Sequence, residues 1–266
     1  MTRTLRLIPH LVAMFVRTKL EYPGAMLLAW ISQVASYGAV YTAIALIVSR
    51  FGNLAGWTWP DMALLLSFHL LAYSLGASFS FAQFRVMEEL VRLGTIDAIL
   101  VKPVSPWAYL VFSGLNIGYT GHIVLAVGLM GWALTQVNIA WSLPVALFFL
   151  ATLVSGALVV CALMTMIGAS AMVWVRSRHL YSVFFGFWEL ARYPVAIFPV
   201  PIQLMLLTLV PLGFISTVPV AVLLDKPVPL LGDWAGLACI LAGPVMALLA
   251  TAHWRWCLRN YQGAGG

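Results

Sequence analysis

Charge is what this sequence has least of. Asp, Glu, Lys and Arg make up 8% of its 266 residues and apolar residues 63%, whereas a soluble domain carries roughly 25% charged residues. That balance excludes an ordinary water-soluble fold. Cysteine is also rare. Cys161, Cys239 and Cys257 lie in or beside apolar segments with no paired spacing, which argues against a disulfide set or a metal site and for small core residues. Lysine occurs only as Lys19, Lys102 and Lys226, and no G-x-x-x-x-G-K-[ST] stretch is present. The chain therefore has no P-loop with which to bind ATP by itself. No Ser-His-Asp set, paired catalytic carboxylates or metal-ligand spacing stands out, so neither catalytic nor metal residues are expected.

What is there is long apolar runs. Between Tyr22 and Phe84 only Arg50 and Asp61 are charged, and from Pro103 to Val175 nothing is. A helix needs about 20 apolar residues to cross the hydrocarbon. The expected fold is an all-α polytopic membrane protein forming one domain over 1–266, with spans near 23–49, 62–84, 107–135, 144–175, 180–198 and 234–254. Residues 1–20 put Leu5, Ile8, Leu11, Val12 and Phe15 on one face, with Arg3, Arg6, His10 and Arg17 mostly elsewhere; this predicts a basic interfacial helix. Arg17 and Lys19 stand where the apolar core of a signal peptide should continue, so no cleavable leader is expected.

One internal stretch breaks the pattern. Arg85 to Trp107 holds Arg85, Glu88, Glu89, Arg92, Asp97 and Lys102. A polar block between such apolar runs belongs in water at a membrane face. Placing both termini, 85–107 and 176–179 on one side gathers 11 of the 14 Lys and Arg residues there and leaves Arg50, Arg192 and Lys226 elsewhere. The positive-inside rule makes the rich side cytoplasmic, and orientation rather than nucleic-acid binding accounts for the net charge of +6. An even number of crossings is then required. Six fit only if 180–224 crosses once, because Pro194, Pro199, Pro201, Pro211 and Pro219 rule out one straight helix. The predicted arrangement is a short span over 180–198 and a re-entrant hairpin over 199–224 on the outer side, where freed backbone groups must be buried in protein or line water.

Three stretches carry a resemblance: LEYPG (Leu20 to Gly24), RLGTIDAILVKPVSP (Arg92 to Pro106) and the proline-rich Phe187 to Leu224. Together they resemble the permease subunits of type-2 ABC exporters, in particular the small bacterial six-span branch with an R-x-G-x-x-D-x-x-L-x-K/R-P-x-S/N cytoplasmic loop. The resemblance covers the whole chain. It implies that 85–106 is a coupling loop docking on a separate P-loop ATPase, and that two ATPase chains with their ATP and Mg complete the unit with a second permease, identical or related. By the same analogy Arg85, Met87, Glu88, Glu89, Leu90, Val91, Arg92 and Asp97 form the coupling site, with the carboxylates meeting basic residues of the ATPase and Met87, Leu90 and Val91 entering its groove. Without the resemblance, the same charges read equally as a solvated loop.

Glu189 and Arg192 are the other informative pair. Three apart, they share a helix face, and each costs roughly 2.5–3.5 kcal/mol at a span centre. They must pair, face the bundle interior or lie near an interface; a place in a translocation path and a structural ion pair both remain open. His69 and His122 also fall within spans. Small-xxx-small spacing at Ser32/Ser36 and Gly114/Gly118 suits close helix contact, within the chain or at a dimer seam. The expected function is outward movement of a hydrophobic or amphipathic substrate by alternating access, in the plasma (inner) membrane of a bacterium, with both termini cytoplasmic and lipid as surroundings. The alternatives are an ion-coupled carrier using Glu189 and the histidines, or a membrane assembly or regulatory protein without a transport path.

Overall fold

The structure, a computed structural model, describes residues 23–263. Its first helix, α1, runs Pro23–Phe51 and α2 runs Trp59–Arg85. Short helices follow: α3 at Met87–Arg92, α4 at Asp97–Leu100 and α5 at Pro106–Ser113. Then come α6 (Thr120–Gln136), α7 (Leu143–Trp174) and α8 (His179–Leu190). α9 (Val200–Leu204) runs into a π-turn over Met205–Leu209, and α10 (Thr217–Leu223) and α11 (Ala235–Asn260) complete the described chain. No strand occurs among the described residues, so the protein is all-α. By length and composition five stretches among them suffice to cross a membrane: Pro23–Phe51, Trp59–Arg92, Ile117–Gln136, Leu143–Trp174 and Gly232–Asn260. This is a polytopic membrane protein. The interfacial helix expected over 1–20 lies outside the described residues.

The bundle is built around α2. Every residue from Met62 to Ser74 is buried, and the serines of the helix find their partners without leaving it. Ser67 donates to Leu64 O, Ser74 to Leu70 O, Ser78 to Ser74 O and Ser80 to Gly76 O. Each hydroxyl thus satisfies itself on its own helix. Small residues set the spacing, as expected where lipid supplies no hydrophobic drive between helices. A Cβ on Gly76 would stand 2.5 Å from Ala157 O, and one on Gly168 2.5 Å from Phe84 Cβ, so α2 and α7 touch through backbone. On the other side of α7, a Cβ on Gly243 would lie 2.6 Å from Ser155 Cα. Ser155 Oγ accepts from Gly243 N and donates to Cys239 O. It is inserted into the hydrogen-bond ladder of α11 one residue before the internal Pro244.

Two expectations need correction. The span expected over 107–135 is not one helix: it stops at Ser113 and restarts at Thr120 after a 3-10 turn at Ile117–Tyr119. Asn116 causes the break. Its side chain accepts from Gly118 N, and its own N–H donates to Ser78 O on α2. Gly114 meanwhile presses on the Gln83 side chain, so Gly114 and Gly118 serve a bend rather than a helix seam. The second correction concerns 180–198. Its helix ends at Leu190 after 12 residues, about 18 Å, short of the roughly 30 Å hydrocarbon. Pro194 has no N–H and disfavours helix in the residue before it. Beyond it, 200–223 is two short helices flanking a bend at Val210–Ser216 that contains Pro211.

At the α2–α7 contact, Gly76→Val forces backbone apart and is expected to cost about 1–3 kcal/mol. Gly186→Ala, with nothing within 4 Å of the added carbon, is expected to be neutral. Thermal unfolding of the two purified variants in detergent checks this; equal midpoints would mean the helices do not pack as described.

Candidate functional site

The charged loop folds onto the end of the bundle rather than hanging from it. α3 continues almost directly from α2, and Gly94 at φ 69 closes it, with Ile96 N donating to Leu90 O at 3.2 Å. Ser105 Oγ accepts from Ala108 N to start α5, with Pro106 at its first position, where a missing N–H costs nothing. Met87 is fully buried and Val91 nearly so, in a cluster with Ala169, Met172, Trp254 and Cys257. These two side chains bind α3 to its own bundle, which corrects their expected insertion into a partner's groove. Leu90 and Asp97 are half-buried. The face that α3 and its flanks present outward is Arg85, Val86, Glu89, Arg92 and Leu93.

Glu88 also turns inward. Its Oε2 accepts from Ser177 N at 3.0 Å and from Arg178 N at 2.7 Å. Those amides are the open N-terminal end of α8, so a carboxylate from α3 caps a helix about 90 positions away, where the dipole favours negative charge. The turn it holds is strained. Val175 has φ 60, ψ −50, the geometry of a positive-φ γ-turn, which is rare and strained and an outlier for a β-branched residue. Glu88 is thus a clamp within the chain, not a free charge awaiting a partner, and Glu89 is the exposed carboxylate of the two. Beside the clamp an open cleft of about 800 Å³ lies among Arg85, Glu89, Arg92, Arg176 and Arg178, with Phe81 and Tyr119 at its apolar side. Arg85 sits 5.4 Å over the Phe81 ring.

The far end of α8 carries the second group. Trp188 stacks on His69 at 3.5 Å between ring centres, and His69 Nε2 lies 3.1 Å from Trp188 O. Glu189 Oε2 pairs with the Arg192 guanidinium, which lies 5.8 Å from the Tyr37 ring. Tyr37 meets the edge of His122 at 4.9 Å, and Tyr119, beside His122, reaches the Tyr73 hydroxyl at 3.4 Å. The depth is clear. Tyr37 is the middle residue of α1, and Glu189 is about 15 Å along α8 from His179. The pair thus lies level with the middle of α1, a helix long enough to cross a membrane. Arg192 is almost covered, at 11% side-chain exposure, while Glu189 is 57% exposed. Just beyond, Ser216 Oγ donates to Ala191 O at 2.9 Å and Thr217 Oγ1 to Tyr193 O at 3.1 Å. These hydroxyls serve carbonyls that the proline break leaves without helical partners.

The charged loop, through Glu88, and the Glu189–Arg192 pair thus meet the two ends of one element, α8. The sequence placed them separately and gave no sign of the link, nor of the Tyr37 ring beside Arg192. On the opposite side of the bundle Lys226 Nζ pairs with Asp61 at 3.2 Å and reaches Gly56 O at 2.8 Å, tying the 225–233 turn to the α1–α2 turn.

A family model described as ABC-2 family transporter protein matches residues 34–265. No curated protein and no solved structure gives a significant match.

Removing the cap by Glu88→Ala is expected to lower stability by about 0.5–2 kcal/mol, read as a lower unfolding temperature, whereas Glu89→Ala leaves it unchanged. Equal effects of the two substitutions would deny Glu88 its role.

Proposed function

The chain belongs to the ABC-2 transporter family, and from that membership we propose that it is the membrane-spanning subunit of an exporter, moving a hydrophobic or amphipathic substrate outward by alternating access. Membership makes it a multi-pass permease that works with an ATP-binding partner. The proposal adds the particulars. Two separate P-loop ATPase chains bind ATP and Mg and carry out hydrolysis. Two permease chains, identical or related, assemble in the plasma membrane of a bacterium. Both termini, 85–107 and 176–179 face the cytoplasm, and the 225–233 turn faces out. The sixth crossing is completed by α8 with the chain beyond it to Phe198, and 199–224 re-enters from the outer side.

The observation that supports this reading is the Glu88 bond to the start of α8. ATPase movement has to reach the membrane through a loop that is exposed on one side and fixed to a transmembrane element on the other. Here the Arg85–Glu89–Arg92 face is exposed, while Met87 and Val91 anchor the loop and Glu88 joins it to α8. A mere solvated loop needs no such attachment.

The test is charge reversal on the exposed face. Glu89→Lys with Arg92→Glu is expected to leave insertion and thermal stability intact, since exposed changes cost little, and to lower copurification of the ATPase or its substrate-stimulated turnover at least severalfold. Unchanged binding and turnover would remove this loop from the coupling role. Orientation is checked separately in a background lacking the three native cysteines. Glu89→Cys is expected to react with an impermeant maleimide only in opened cells and Leu230→Cys in intact ones; the reverse would overturn the topology.

A further inference from the structure

Glu189 makes a demand that its own chain does not meet. It lies level with the middle of α1, on the exposed side of α8, in line with the exposed Gly186 and Ser182 one and two turns earlier. Its partner Arg192 is turned the other way, covered by the bundle beside Tyr37. The pair is therefore polarised: the positive member is packed inside and the negative member is presented outward. Lipid hydrocarbon cannot solvate a carboxylate, and such groups in spans face protein or water-filled cavities. The neighbourhood also holds buried polar atoms without partners among the described residues, including His69 Nδ1 and Arg192 Nε. A dry apolar environment would leave each of them costly.

We propose that the face of α8 carrying Ser182, Gly186 and Glu189 lines a water-containing path within the membrane, and that the Glu189 carboxylate is the contact for a positively charged group on an amphipathic substrate. This rests on the permease reading above and names the substrate class it left open. The geometry gives the class. An anionic headgroup would meet the carboxylate first, with the guanidinium screened behind it, whereas an ammonium finds a ready charge-assisted acceptor. Val183 on α8 and Ile197 beyond its end are exposed as well, so this stretch of chain also offers apolar surface for the substrate's hydrocarbon part.

The charge preference can be read without knowing the substrate. In a chain whose three native cysteines are replaced by alanine, Gly186→Cys puts a thiol about one helical turn from Glu189, at a position with nothing within 4 Å of the new carbon. The copurified permease–ATPase complex in membranes is treated with two water-soluble methanethiosulfonates of similar size, one bearing a trimethylammonium and one a sulfonate. Relative to their rates with a free thiol, the cationic reagent is expected to react faster by roughly tenfold, as a partly neutralised charge at that distance allows. Adding Glu189→Gln is expected to bring the ratio close to one. Leu248→Cys, exposed near the middle of α11, is expected to stay unreactive as a lipid-facing control. If Gly186→Cys is as inert as Leu248→Cys, the face is dry and the path is wrong. If it reacts without preference, or with a preference that Glu189→Gln leaves unchanged, the carboxylate has no recognition role. Failure of any parent chain to copurify an ATPase would instead strike the permease reading itself.

Discussion

Hydrocarbon offers no hydrogen bonds, and much of this structure follows from that single constraint. Many polar groups inside the bundle find their partner in protein, while a few, such as His69 Nδ1 and Arg192 Nε, find none among the described residues. The serines of α2 turn back on their own helix, which lets that helix be buried on all sides. Ser155 serves two backbone groups of α11 at once. Where prolines interrupt the chain after Leu190, Ser216, Thr217 and Gln203 take up the carbonyls of Ala191, Tyr193 and Phe198. The interruption is thus held in place rather than left loose. A break so well supplied with side-chain partners is a built feature of the fold.

The same constraint sets how closely helices pack. Dispersion and hydrogen bonding, not exclusion of water, hold helices together in lipid. Both gain from short distances, and Gly76, Gly168 and Gly243 supply them along the two sides of α7. α7 is consequently the structural partner of both α2 and α11. α1 is different: its long apolar side chains Leu27, Leu28, Ile31 and Leu46 are largely exposed, and its inward contacts concentrate on Tyr37, Tyr41, Ile44 and Val48. The core is therefore made by α2 and α7 with α6, α8 and α11 packed around them, and α1 is laid against Arg192 through Tyr37.

Much of this was legible in the sequence. The class followed from composition, because 8% charged residues cannot clothe a soluble surface. The long apolar helices followed from runs without charge, and the prolines signalled a break within 180–224, expected near Phe198 rather than after Leu190. What could not be read is what depends on distant pairing. Glu88 and Glu89 are chemically alike and adjacent, yet one caps α8 and the other faces outward; only the fold decides which. The interruption at Asn116 has a local signal, since Asn favours such turns, but the surrounding apolar run outweighed it. Glu189 and Arg192 were recognised as a pair, but not that one would be covered and the other presented. Exposure is a property of neighbours, and those neighbours are α1 and α2, more than a hundred residues away.

α8 gains its meaning from its two ends. At its start, two backbone amides are bound by a carboxylate from the charged 85–107 loop; about 15 Å further on, it carries the Glu189–Arg192 pair. A 12-residue helix is stiff over that distance, so displacement of one end is displacement of the other. Its attachments differ in kind. The start is held by Glu88 and a strained turn at Val175, which has somewhere lower in energy to relax. The far end is held by Trp188 against His69 and by the hydroxyls of Ser216 and Thr217. On the proposed reading, a pull on α3 is delivered to α8 before it reaches any of the long helices. The membrane-length helices need not bend for the polar site to change its exposure; tilting one short helix suffices. On that reading the position of the break after Leu190 follows as well. Had α8 run unbroken to the outer face, its tilt would have had to carry a full crossing against lipid, and the charged pair would have been locked within a straight helix.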